Sequence, residues 1–107
     1  MKNIISLPWD SEKVFIVAEI SANHEGSLSR ARDTIRAAAA VGADAVKLQT
    51  YTPDTLTIDS DRNEFLIRGG PWDGRRLYEL YQQAFTPWEW HDELQAVAAF
   101  VGLEFFS

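Results

Sequence analysis

The sequence contains no cysteine, so neither a disulfide framework nor a thiolate metal site is available to it. It also lacks a basic excess, since 10 Lys and Arg stand against 16 Asp and Glu, for a net charge of -6 at pH 7. Proteins that grip nucleic acid through its phosphates generally need a basic face, so no nucleic-acid partner is expected. A small anionic substrate stays open, because a few local Lys or Arg can hold one phosphate whatever the net charge. No apolar run approaches the roughly 18 residues of a membrane span, so no membrane partner is expected either. The opening Met1–Pro8 has neither the sustained apolar core nor the cleavage-site pattern of a secretory signal. Those absences make the cytoplasm the default location. Repeats and low-complexity tracts are missing too. What remains is a globular composition, 46% hydrophobic, and 107 residues suffice for one modest core.

Val14-Phe15-Ile16-Val17-Ala18-Glu19-Ile20 is a nearly continuous apolar run rich in β-branched residues. Such runs suit a strand covered on both faces, as in a parallel sheet. Its one charge, Glu19, sits near the C-terminal end, and Ser21–Gly26 reads as a loop. Ser27 suits a helix N-cap. Leu28, Ala31, Ile35, Ala38 and Ala39 then recur at helical spacing, with Arg30, Arg32, Asp33 and Arg36 on the other faces. The narrow, Ala-rich face can pack close to a sheet. Gly42 stands where a helix-ending glycine belongs. Ala45–Thr50 reads as a second strand, which makes a βαβ unit, right-handed by default.

From Tyr51 to about Arg75 the chain is rich in Pro, Gly and Asp and reads as one long irregular loop, a length that is usually functional or a lid. Leu77–Ala84 reads as a short helix. Thr86-Pro87-Trp88-Glu89 has the form of a helix start, with Thr86 as cap, Pro87 in the first turn and Glu89 closing a capping box. His91, Leu94, Val97, Ala98 and Val101 form the apolar stripe of that helix, and Gly102 ends it. Leu103–Ser107 begins a third strand. Three parallel strands with two crossovers make an α/β sheet with open apolar edges, and Phe105 and Phe106 should be buried. The expectation is therefore a partial N-terminal domain over 1–107, truncated rather than finished.

In parallel α/β folds, active sites form at the C-terminal ends of strands. Glu19 ends the first strand, Lys47 and Gln49 end the second on a shared face, and Ser107 ends the third. A lysine inside an apolar strand is costly unless paired or functional. Lys47 suits a cation for phosphate or carboxylate, a Schiff-base nucleophile, or a structural ion pair with Glu19. Glu19 suits an acid/base or hydroxyl-accepting role, or the neutralisation of Lys47. Gln49 suits a substrate hydroxyl or a satisfied core amide. His24 can reach the site or fix its own loop, whereas His91 falls on an apolar stripe and reads as packing. Trp72, Trp88 and Trp90 read as anchors of the long loop. Neither His has a metal-type partner at suitable spacing.

Two blocks carry a family resemblance. Phe15-Ile16-Val17-Ala18-Glu19-Ile20-Ser21-Ala22-Asn23-His24-Glu25-Gly26 resembles the first strand and loop of the sialic-acid synthase family, and Gly42-Ala43-Asp44-Ala45-Val46-Lys47-Leu48-Gln49-Thr50-Tyr51 its second strand. Gly69-Gly70-Pro71-Trp72-Asp73-Gly74-Arg75, Leu77-Tyr78-Glu79-Leu80-Tyr81 and Thr86-Pro87-Trp88-Glu89-Trp90-His91 look like the pseudaminic acid synthase branch. The resemblance runs from Val14 to Ser107. It implies the N-terminal portion, about three βα units, of a TIM (β/α)8 barrel. It implies an enzyme that condenses phosphoenolpyruvate with an open-chain N-acetylated sugar, giving a nine-carbon 2-keto acid sugar and phosphate. Position by position, Glu19 matches an acid contacting the reacting substrates, Lys47 a phosphoenolpyruvate-binding lysine and Gln49 a sugar-side contact. Asn23 and His24 match a loop near the site, and Ser107 begins a phosphate-contacting turn. A divalent metal, manganese or magnesium, is implied with its ligands beyond residue 107, as are a small C-terminal domain and a homodimer. The 107 residues alone should then be inactive and poorly folded.

Other readings remain at this point. The sugar specificity can be that of an N-acetylneuraminate or legionaminate synthase. Lys47 can serve a Schiff-base aldolase. The chain can also be a non-catalytic truncated fragment that binds a partner.

Overall fold

The computed structural model describes residues 12–107. The absence of a secretory signal at Met1–Pro8 concerns residues outside those described. Three short strands alternate with helices: β1 Val17–Glu19, α1 Leu28–Ala40, β2 Ala45–Lys47, α2 Pro53–Leu56, α3 Leu77–Ala84, α4 His91–Phe100 and β3 Glu104–Phe106. Single 3-10 turns occupy Asn63–Phe65 and Trp88–Trp90. The strands are parallel in the order β1-β2-β3. Chain order and spatial order coincide, as in the successive units of a (β/α)8 barrel; a doubly wound sheet would reverse its order at a switch point. The α/β class and the partial-barrel expectation both hold.

Register explains how side chains are sorted. Ala18 pairs with Val46 and Val46 with Phe105, while Glu19 pairs with Lys47 and Lys47 with Phe106. Successive strand residues point to opposite faces. Ala18, Ile20, Val46, Leu48, Leu103 and Phe105 therefore turn to one side, where they pack with Ala31, Ile35 and Ala38 of α1 and Leu94 and Ala98 of α4. Glu19 and Lys47 turn to the other side, which no helix covers among the described residues.

Two expectations about burial are corrected. The run at β1 was expected to be covered on both faces, yet Val17, on the open face, and Val14 and Ile16, which precede the strand at the edge of the sheet, are exposed. Phe105 packs on the core as expected, but Phe106 is 44% exposed, since it lies on the uncovered face of the other edge strand. The strands are also shorter than their apolar runs. Backbone bonds continue past them, with Ile20 N–H donating to Lys47 O and Leu48 N–H to Phe106 O.

Helix α1 starts and stops as its residues dictate. Ser27 Oγ accepts from Arg30 N–H at 3.1 Å, satisfying one of the first-turn donors. At the far end Gly42 adopts φ +92, its N–H donates to Ala39 O, and Ala43 N–H donates to Ala38 O. Helix α4 ends in the same way: Gly102 at φ +80 donates to Ala99 O, and Leu103 N–H donates to Ala98 O. In both, a left-handed residue returns the chain from helix to strand while capping the last carbonyls.

The start of α4 departs from the sequence pattern. Thr86 does not cap it; a 3-10 turn intervenes and the α-helix begins at His91. No side-chain cap bond forms at either start. The hydroxyl of Thr86 is buried and engaged by His24 instead, a tertiary contact that replaces the local one.

Segment 51–75 is also more ordered than expected. Pro53 opens α2, and Thr55 Oγ1 accepts from Thr52 N–H. Leu66 and Arg76 form an antiparallel bridge, and Arg76 pairs with Asp59 and Glu79. The segment is thereby folded back on α3. Among the described residues no helix is long and apolar enough to cross a membrane.

Candidate functional site

The C-terminal ends of β1 and β2 bring three of the expected side chains together. Lys47 Nζ lies 3.6 Å from Glu19 Oε2, and Gln49 Nε2 donates to Glu19 Oε1 at 3.0 Å. One carboxylate thus orients a cation and an amide on the uncovered face of the sheet. Lys47 was expected to be a buried lysine; its side chain is 45% exposed, because no helix among the described residues covers that face.

The loop after β1 is built around His24. Nδ1 accepts from Gly26 N–H at 3.0 Å, so in the neutral ring Nε2 carries the hydrogen and donates to Thr86 Oγ1 at 3.1 Å. The ring is fully buried and meets Trp90 edge-on at 5.1 Å. Burial pushes its pKa below the usual histidine value. With both nitrogens engaged, His24 holds its loop and offers no polar atom to a ligand in this arrangement. Asn23 is exposed, and its Nδ2 donates to Ile20 O at 2.9 Å. Ser21 and Glu25 take φ 53 and 51, left-handed values uncommon for residues with a Cβ. Such outliers persist where surrounding contacts over-determine them, and here the buried His24 lies between the two.

At the ends of β2 and β3 lies a second cluster. Ser107 Oγ accepts from Thr50 N–H at 3.1 Å and lies 2.7 Å from Thr50 Oγ1 and 3.2 Å from Leu48 O. Thr50 Oγ1 in turn lies 2.5 Å from His91 Nε2. The sequence singled out Ser107 but neither Thr50 nor the polar role of His91. The one available signal was a titratable residue on an otherwise apolar helical stripe.

The three tryptophans expected to anchor the long loop behave differently. Trp90 packs on the core and on His24, whereas Trp88 is 64% exposed and stacks on His91. Trp72 lines a cleft of about 640 Å³ between Ser21–Gly26 and the C-terminal half of α3. The Arg75 guanidinium lies 5.2 Å from the Trp72 ring.

Among the described residues no three His, Asp or Glu side chains converge as metal ligands would. These residues do not by themselves fit a divalent ion.

The NeuB family model matches residues 34–107, which include Lys47, Gln49, Thr50, His91 and Ser107. The chain belongs to the NeuB family. This NeuB-family chain is 56% identical over 96 residues to a pseudaminic acid synthase of Campylobacter jejuni, covering 90% of the chain but 28% of that protein. It is 51% identical to a pseudaminic acid synthase of Helicobacter pylori over 86% of the chain and 27% of that protein. The N,N'-diacetyllegionaminic acid synthase of Legionella pneumophila is 36% identical, over 87% of the chain and 26% of that protein. In three dimensions the chain is similar to the Bacillus subtilis spore coat polysaccharide biosynthesis protein spsE, with a TM-score of 0.56 and 34% identity, over 85% of the chain and 22% of that structure. The chain thus spans little more than a quarter of the curated relatives it matches.

Proposed function

We propose that the protein carrying this chain is a pseudaminic acid synthase, and that residues 1–107 supply one wall of its active site as the first part of a (β/α)8 barrel. The observation that carries this is the Glu19–Lys47–Gln49 group at the ends of β1 and β2, where parallel barrels do their chemistry. The similarity to two pseudaminic acid synthases supports the substrate class.

The reaction joins phosphoenolpyruvate to a diacetamido aldose. C3 of phosphoenolpyruvate attacks the aldehyde carbon, a C–C bond forms, and the aldehyde oxygen takes a proton. Water adds at C2, and the C2–O bond breaks to release inorganic phosphate and the nonulosonic acid. Lys47 holds the negative charge of phosphoenolpyruvate as an ammonium. Glu19 keeps that ammonium in place and faces the reacting carbons, where a carboxylate can accept the proton of the attacking water. Gln49 hydrogen-bonds the sugar, and the Ser107 hydroxyl meets the phosphate. Asn23 and His24 shape the loop beside the sugar, His24 through its buried contacts. A manganese or magnesium ion, held by ligands outside the described residues, would polarise the aldehyde as a Lewis acid. A cytoplasmic homodimer is the form in which we expect the enzyme to act.

Legionaminate synthesis is the second reading, favoured by the similarity to the Legionella pneumophila enzyme, though at lower identity. The test is turnover by the full-length protein with phosphoenolpyruvate and a panel of acetamido sugars. Consumption of a diacetamido sugar of the pseudaminate configuration supports the proposal. Exclusive use of the legionaminate precursor or N-acetylmannosamine overturns the choice of sugar. A borohydride-trapped adduct on Lys47 overturns the chemistry itself.

A further inference from the structure

We propose that Thr50 and His91 are positioning residues that aim the Ser107 hydroxyl outward as a hydrogen-bond donor to a substrate oxyanion. The proposal rests on the reading above, in which Ser107 meets the phosphate of phosphoenolpyruvate, and deepens it.

The geometry is a chain of three side chains drawn from three elements. His91 opens α4, Thr50 follows β2, and Ser107 follows β3. His91 Nε2 lies 2.5 Å from Thr50 Oγ1, which lies 2.7 Å from Ser107 Oγ. The imidazole is held in orientation by rings on two sides. Trp88 stacks on it at 6.0 Å with 28° between the planes, and Phe105 meets it edge-on at 5.8 Å. A ring clamped in this way presents Nε2 to Thr50 in one direction.

Proton counting fixes what the chain can deliver. A serine hydroxyl has one hydrogen and two lone pairs. Thr50 N–H already occupies one lone pair of Ser107 Oγ. If His91 Nε2 accepted from Thr50, the Thr50 oxygen would accept from Ser107, and the only hydrogen of Ser107 would be spent inward. If instead Nε2–H donates to Thr50, the Thr50 hydroxyl keeps its own hydrogen and can donate it to the second lone pair of Ser107. The serine hydrogen is then released toward Leu48 O, 3.2 Å away, or toward a ligand. The contact to Leu48 O, an acceptor that only the serine hydrogen can meet, fits the second direction, and the 2.7 Å contact of Ser107 with Thr50 fits either. The exposed Ser107 then has both lone pairs filled and one hydrogen to give, which is the state an oxyanion needs.

The experiment measures KM for each substrate and kcat in the full-length enzyme and its variants. Ser107→Ala and Thr50→Val should each raise KM for phosphoenolpyruvate by about tenfold, leaving KM for the sugar unchanged. Thr50→Ser keeps the hydroxyl and should restore most of the affinity, and His91→Phe should act like Thr50→Val. The double variant Ser107→Ala/Thr50→Val should be no worse than Ser107→Ala alone, because Thr50 acts through Ser107. Additive losses, an unchanged KM in Thr50→Val, or a change confined to the sugar would overturn the positioning role. An unaffected Ser107→Ala enzyme would also overturn it, while continued condensation would leave the proposed function standing. The 15N spectrum of His91 without substrate reads the chain independently of turnover. A protonated Nε2 whose signal moves in Thr50→Val supports the chain even if phosphoenolpyruvate is not the substrate, and an unprotonated Nε2 overturns it.

Discussion

His24 Nε2 donates to Thr86 Oγ1 across 62 positions of sequence, and both side chains are fully buried. The contact ties the loop after β1 to the chain just before α4. Burial holds the pKa of His24 below its usual value. An unfolded histidine takes up its proton as pH falls through about 6.5, while the folded one still resists. In that window the unfolded state binds more protons, so stability falls as pH falls. The contribution is fully present above about pH 6.5 and is lost as pH drops toward the lowered folded value. Denaturant titrations at about pH 7.5 and about pH 5.5 check this, because the wild-type midpoint should fall more steeply than that of His24→Asn. Equal slopes in the two proteins would remove His24 as the source.

Much of the fold was legible because its signals are local. Ser27 caps α1 as its side chain suggests, and Gly42 and Gly102 end their helices because few other residues tolerate the left-handed turn. The Glu19–Lys47–Gln49 group was legible because all three stand at strand ends and alternation puts Lys47 and Gln49 on one face; the register then sets Glu19 beside Lys47. What could not be read depended on contacts distant in sequence. Thr86 carries a capping pattern, but its hydroxyl is taken by a histidine from the loop after β1, 62 positions away. His91 sits on an apolar stripe, and only the return of β3 beside β2 brings Thr50 and Ser107 into line with its ring. One-sided burial was equally hidden, since an apolar run does not state how many of its faces are covered.

The packing of α1 on α4 rests on small residues. Ala31 and Ala98 are both fully buried, and the two helices are in direct contact within one core cluster. Ala98→Leu adds methylenes where there is no room and should destabilise by about 1–3 kcal/mol. Ile35→Ala leaves a cavity in the same cluster and should cost about 2–5 kcal/mol. Chemical denaturation of the full-length protein measures both. A neutral Ala98→Leu would mean that the helices separate more easily than their burial implies.

The α1 cap gives a smaller, separable effect. Ser27→Ala removes the acceptor for Arg30 N–H, and the expected loss is about 1 kcal/mol. Ser27→Asp keeps an acceptor and adds charge at the positive end of the helix, so it should retain stability. Amide exchange at Arg30 reads the cap directly, with faster exchange in Ser27→Ala than in Ser27→Asp. If the two variants exchange alike, the cap is not what protects that amide.

Glu19 and Lys47 separate function from stability. Among the described residues their side chains are 38% and 45% exposed, and an ion pair that stays open to the substrate site contributes little, under about 1 kcal/mol. Glu19→Gln should therefore leave the unfolding midpoint nearly unchanged. On the proposed mechanism the same substitution removes a proton acceptor, and kcat should fall by about 100-fold or more. Lys47→Met removes the cation and should act mainly on KM for phosphoenolpyruvate, with the fold again intact. A structural pair would behave in the opposite way, losing stability in both variants while any activity scaled with the folded fraction. Measuring unfolding and turnover on the same preparations decides between the two, because only a functional pair loses activity at unchanged stability.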